Sequence, residues 1–353
     1  MKYYPILKKG NCEIIALEKI SEKYPETATK LFPIIEAPQK SNSKQWEKDF
    51  KTFGKYLKRK IPNLDFSFQY STAFSKINNF EITSWQSSEE QNIVEYIHSK
   101  LIEHCPNYIP CFNCDDSDWI LESVPSGDFD TYIVRIEPYK FENGLDNMMI
   151  PSIKSRFSKK FPTKNVVWML DFYNKISDLE RVTYLINLLE SPTGKNVIFS
   201  ATTCPEDATL IEHSSFRVAS TRNDLFSFKS LRTEFPDLSF SDYTVRLKPT
   251  PTKEQRSKIN MDNTYIKIFY TTENSYMISK SGLIRKQKND SNHMNAQEMC
   301  SLITNSNQYS GADFSWGDKK INECANGQFD IHDHQIPIQI GINHHILSTL
   351  NQL

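Results

Sequence analysis

The residues that could do chemistry fall into two groups. The first sits at the ends of short apolar, β-rich runs. Lys8 ends "YYPILK" (Tyr3 to Lys8), and Glu36 lies at the end of "LFPIIEAP" (Leu31 to Pro38). Arg135 and Glu137 close "TYIVRIEP", and Asp171 closes "NVVWMLDFY". Ser200 and Thr202 close "NVIFSAT", and Asp242 joins them if "FSDY" is a strand end. Carboxylates, a lysine and an arginine around one opening could hold a divalent cation, bind a phosphate or carry out acid-base work. The same residues could instead neutralise one another and fix loops, because a fold does not by itself give a function.

The second group is histidine-rich. Four of the eight histidines lie in "FDIHDHQ" (His332, His334) and "GINHHILSTL" (His344, His345). On extended chain His332 and His334 share a face and are the candidate metal pair, although no metal is expected without further ligands. The doublet reads as the start of a helix with Asn343 as its N-cap. At 100° per residue, Ile342, Ile346, Leu350 and Leu353 share a face, with His345 on its edge and His344 nearly opposite. Adjacent helical residues diverge too far to close on one ion. His345 is therefore expected to support the fold, and replacing His344 is expected to leave stability intact.

"CFNC" (Cys111 to Cys114) ends a strand run instead of opening a helix, and no second ligand pair follows. Half-buried thiols are the expected state. Asp115 to Asp118 reads as the start of the next short helix. No Gly-rich phosphate cradle or nucleophile elbow is present.

These residues need a scaffold. Strand runs alternate with helical stripes such as Ile14, Leu17, Ile20 and Tyr24, or Trp46, Phe50, Phe53 and Leu57. Ser87 with Glu90, and Ser177 with Glu180, read as capping boxes. Strand-helix alternation implies parallel strands, and doubly covered runs such as "NVVWML" fit that. Eight strands, also counting "DFSFQY", "YIPCFN" and "SFRVAS" (Ser215 to Ser220), favour an α/β fold with a (β/α)8 TIM-like barrel. "LSFSDYTVRL" (Leu238 to Leu247) is the alternative eighth strand. The barrel is expected over residues 1–249. Residues 250–353 then form a C-terminal extension packed on it, with a hairpin over Thr264 to Gly282 and a helix near Gln297 to Ile303.

A formal net charge of -1 gives no footprint for nucleic acid, which is not an expected partner. Basic clusters such as Lys55 to Lys60 and Ile284 to Lys288 read as solvated faces. No apolar run reaches membrane-spanning length, and seven scattered cysteines are not a disulfide framework. A reducing cytoplasm is the expected compartment.

Five segments carry a resemblance: "YYPILKKG", "LFPIIEAP", "FSDYTVRL", "FSWGDKKINECANG" and "GINHHILSTL". Together they resemble the beta protein family of bacteria, phages and phage satellites. The resemblance spans nearly the whole chain and is most specific at Ser315 to Gly327 and Gly341 to Ile346. The matching positions are Lys8, Glu36, Asp242, Tyr243, Trp316, Gly317, Asp318, His344 and His345. It implies a part in phage-linked toxicity and defence, since the founding member prevents killing by a companion protein. The chain is thus expected to be an antitoxin or immunity component. It would bind a companion toxin or defence protein from a neighbouring gene, with Tyr243, Trp316, Asp318 and His345 as candidate binding residues and no cofactor. The alternative is a barrel hydrolase, assisted by a divalent metal and acting on a phosphoester or nucleotide. In that case Glu36, Glu137, Asp171 and Asp242 should converge around one cleft, with Lys8 and Arg135 beside them.

Overall fold

The computed structural model describes residues 2–8, 10–40, 42–176, 178–247, 260, 263–287 and 293–353. Ser177 and the expected domain boundary at 249 lie outside them. The chain divides into two compact units: Met1–Lys9 with Thr29–Thr202 and Asp224–Asp242, and Gly10–Ala28 with Thr203–Asn223 and Tyr243–Leu353.

The strands in chain order are β1 (Ile6–Lys8), β2 (Ile34–Glu36), β3 (Ser67–Gln69), β4 (Ile109–Asn113), β5 (Thr131–Ile136) and β6 (Asn165–Asp171). They continue with β7 (Val197–Ser200), β8 (Ser215–Thr221), β9 (Ser239–Ser241), β10 (Lys267–Thr271) and β11 (Ser275–Lys280). In the first unit, eight strands run in the order β1-β2-β3-β4-β5-β6-β7-β9. All their pairings are parallel. Backbone hydrogen bonds from Tyr4 N to Phe240 O (2.9 Å) and from Ile6 N to Asp242 O (2.7 Å) join the last strand to the first. The sheet is thus the barrel expected from the alternation.

Its eighth strand is Ser239–Ser241, within the alternative run. The Ser215 run pairs antiparallel with β11 instead. Its exposed residues, Val218 among them, suit a strand with one face in water, whereas a barrel strand is covered on both. Phe68, Phe112, Met169, Phe199 and Phe240 are fully buried in the barrel unit. Each such side chain contributes roughly 1.5–3 kcal/mol of transfer free energy.

Helices follow the strands, with some starts shifted from expectation. Helix Ile93–Ile102 begins at a full capping box of Asn92 and Glu95. Ser87 instead accepts from Glu89 N and Gln91 N and closes a turn. Helix Leu179–Leu188 is capped by Asp178, which accepts from Arg181 N at 2.7 Å.

In the second unit, β10, β11 and β8 form an antiparallel sheet in that order. Helix Asn11–Lys23 belongs here, with Ala296–Thr304, Trp316–Ala325 and Gln335–Gln352. Ile268, Met299, Ile303, Ile321 and Ile340 build its core. The C-terminal helix starts eight residues before Asn343. Asp333 Oδ1 accepts from Gln335 N and Ile336 N, and Pro337 falls in the first turn, where a missing N–H costs nothing. Asn343 and both histidines of the doublet are consequently mid-helix. No helix among the described residues is long and apolar enough to cross a membrane.

Candidate functional site

Strand register sets the residues at the barrel mouth. Lys8 pairs with Glu36 and Glu36 with Gln69. Asn113 pairs with Arg135, and Asp171 with Ser200. Arg135 reaches across the interior from β5. Its Nη1 donates to Glu36 Oε1 on β2 (2.9 Å) and to Gln69 Oε1 on β3 (2.8 Å). Its Nε and Nη2 both lie 2.7 Å from Asp171 Oδ2 on β6. Asp171 is fully buried and Arg135 is 6 % exposed, so this is an interior ion triad. Removing one partner of such a group leaves an uncompensated buried charge, at a cost of roughly 3–5 kcal/mol.

Glu36, Gln69 and Arg135 line a cavity of about 470 Å³ bounded by the segments that follow β3, β4 and β5. Gln69 Nε2 donates to Asn113 Oδ1, and Asn113 Nδ2 to Ser71 Oγ (3.3 Å). Phe74 and Trp119, with ring centroids 5.9 Å apart, supply an aromatic side. Glu137 accepts from Tyr139 Oη at 2.6 Å and from Lys140 Nζ. Burial acts to raise the Glu137 carboxyl, but the Arg135 charge with the Lys140 and Tyr139 hydrogen bonds outweighs it and holds the group below its ordinary range. Asp116 accepts from Asn113 N at 2.8 Å, and burial pushes its carboxyl up to about 6.

Of the residues expected to do chemistry, Glu36, Arg135 and Asp171 are in direct contact, and Glu137 lines the same cavity. Lys8 adjoins Glu36 by register. Asp242 is fully buried and accepts from Tyr3 Oη. Glu36 and Asp171 are turned to a guanidinium. Among the described residues, no three His, Cys, Asp or Glu side chains are placed to hold a metal ion. His332 and His334 are both exposed, ahead of the C-terminal helix. Cys111 is buried on β4, and burial raises its thiol to about 12 and that of Cys114 to about 11.

Gln69, Asn113, Asp116 and Trp119 escaped the sequence reading. Gln69 and Asn113 carry the signal that flagged Glu36, a polar residue closing an apolar strand run. By composition Asp116 belongs to a helix start, but Ser117 is the N-cap of helix Asp118–Glu122. One residue earlier, the chain turns Asp116 back onto β4.

A second polar cluster is sealed inside the other unit. Asp318 accepts from Tyr270 Oη (2.8 Å) and Ser315 Oγ, and lies 2.7 Å from His344 Nδ1. His344 Nε2 lies 2.6 Å from Thr271 O. A carbonyl only accepts, so Nε2 carries hydrogen, and one further hydrogen must sit between Nδ1 and the carboxylate. The His344 ring also stacks on Tyr270 at 4.0 Å. His345 contacts Thr271 Oγ1 at 2.8 Å. Asn343 accepts from Gly317 N and donates to Ala16 O.

The model of the family described as Beta protein matches residues 3–351. The chain belongs to the Beta protein family. No curated protein matches it at a significant level. The Beta protein match covers both polar clusters. The segments that carried the resemblance most specifically, around Trp316 to Asp318 and Asn343 to His345, meet in the buried network. Asp318, His344 and His345 are fully buried, Tyr243 is 4 % exposed, and Trp316 is half-buried. His344 is as buried as His345, which corrects the expectation that it faces away. With the helix beginning at Gln335, both rings have neighbours on every side.

Proposed function

We propose that the barrel mouth is the working site and that it binds a small, polar, uncharged or cationic molecule. The observation that carries this is a cavity of about 470 Å³ lined by Glu36 and Arg135, at the strand ends where barrels of this kind assemble their sites. Its charge disfavours a phosphoester or nucleotide. Glu36, Asp115, Asp116 and Glu137 face it with only Arg135 and Lys140 as cations, and both cations already hold carboxylates. The test is retention of small molecules from a cell metabolite extract, read by mass spectrometry. Ser75→Trp, at an exposed lining position, serves as the blocked variant. Retention by wild type and not by S75W supports the reading. Equal profiles for the two proteins refute it.

A second reading follows from the family resemblance: an antitoxin or immunity component that binds a companion protein in phage defence. Phe80 (80 % exposed), Met148 (59 %) and Leu145 (40 %) favour it. They lie on segments that follow β3 and β5, and so leave the barrel at the mouth end. Co-expression with neighbouring gene products, followed by pull-down and a survival assay, tests it. A Phe80→Asp/Met148→Asp variant should lose both complex and protection. Absence of both in wild type would reject this role.

A further inference from the structure

The cavity combines three kinds of group. The Gln69, Asn113 and Ser71 side chains form a chain of groups that both donate and accept. That is the hydrogen-bonding character of a sugar hydroxyl. Trp119, half-buried and backed by the buried Phe74, offers an apolar face that the C–H side of a sugar ring can cover. Two carboxyl groups, Asp116 and Glu137, border the same space in opposite surroundings. Asp116 is 6 % exposed and accepts from the Asn113 amide and the Ser71 hydroxyl, with Asp115 and Arg156 as charged neighbours, whereas Glu137 is braced by Tyr139 and Lys140 and feels the Arg135 charge.

Resting on the barrel-mouth reading above, we propose that the bound molecule is a glycosyl compound and that the site hydrolyses its glycosidic bond, with Asp116 as proton donor and Glu137 as base. Water attacks the anomeric carbon and gives its proton to the Glu137 carboxylate. The bond from that carbon to the leaving group breaks, and its electron pair stays on the leaving atom. That atom takes the proton of Asp116. The products are a free sugar and the protonated leaving group, with no change in oxidation state. Proton exchange with solvent restores both carboxyls. The division of labour matches the surroundings: burial favours the protonated form of Asp116, and neighbouring cations favour the ionised form of Glu137.

The experiment uses the full chain and a panel of 4-nitrophenyl α- and β-glycosides (glucoside, galactoside, N-acetylglucosaminide) with the four common ribonucleosides. Release is followed by absorbance or chromatography, and binding by thermal shift. Turnover of at least one compound is expected. It should fall at least 100-fold in Asp116→Asn and in Glu137→Gln, each first shown to be folded by circular dichroism. The wild-type pH profile should be bell-shaped, declining above about pH 6, and D116N should lose that alkaline limb. Turnover indifferent to either substitution overturns the assigned roles. Glycoside binding without turnover overturns the hydrolysis and leaves the mouth as a binding site. If no glycoside binds while the extract experiment still shows retained molecules, the glycosyl assignment falls alone. If neither experiment shows a ligand, the barrel-mouth reading falls with it.

Discussion

Replacing His344 with alanine gives the sharpest test of the buried network. The substitution removes a ring that is fully buried, stacked on Tyr270, and bonded at both nitrogens. It leaves the Asp318 carboxyl without the ring nitrogen it bonds to and the Thr271 carbonyl without its donor. Breaking a buried pair of this kind costs roughly 3–5 kcal/mol. For a unit of roughly 150 residues, each kcal/mol moves the midpoint by about 2–4 °C, so the expected loss is roughly 6–20 °C. Differential scanning calorimetry, with urea titration as a check on the slope, measures it. Asp318→Asn is the informative control. An amide can donate to Nδ1 of a neutral ring while Nε2 still donates to Thr271, so this variant should lose less than H344A. A midpoint shift below about 3 °C for H344A, or a larger loss for D318N than for H344A, would refute the hydrogen-bond accounting.

Three further outcomes are expected. Arg135→Met should lower stability by roughly 3–5 kcal/mol in urea titration, because Asp171 and Glu36 lose their shared cation; a loss under about 1 kcal/mol contradicts the triad's role. Asp116→Asn should gain stability relative to wild type as pH rises from about 4 to 7. A carboxyl raised to about 6 when folded binds more protons than the unfolded chain in that window, so wild type loses on the order of 2–3 kcal/mol there. A pH-independent difference in melting temperature counts against the burial of Asp116. Gly317→Ala should cost at least about 1 kcal/mol, since its Cβ would lie 2.6 Å from Ile340 O and the two helices would have to separate; unchanged thermal unfolding would show the contact to be looser.

The barrel was legible because strand runs and helical stripes are local signals. Partner choice is not local, and there the sequence reading slipped. Both "SFRVAS" and "LSFSDY" read as strands, and only pairing sends the first to the antiparallel sheet. Asn343 has the composition of a cap but sits mid-helix, because the helix starts at Gln335, where Asp333 Oδ1 takes the first amides, and Asn343 bonds to Gly317 and Ala16 instead. Half the mouth was legible from charged strand ends. The rest comes from Gln69 and Asn113, whose uncharged amides drew no notice, and from a turn that bends Asp116 onto β4.

Helix Asn11–Lys23 packs with the C-terminal helix, and the bond from Asn343 to Ala16 O spans 327 residues. On the ribosome, the early helix therefore waits for the 327 residues that separate Ala16 from Asn343. At roughly 5–20 residues per second, that is about 15–65 s with Ile14, Leu17 and Ile20 lacking their final cover. Synthesis halted anywhere before the last helix would leave this segment a target for chaperones or proteases. The exposure of that apolar stripe ends only when helix Gln335–Gln352 has been made and can pack on it.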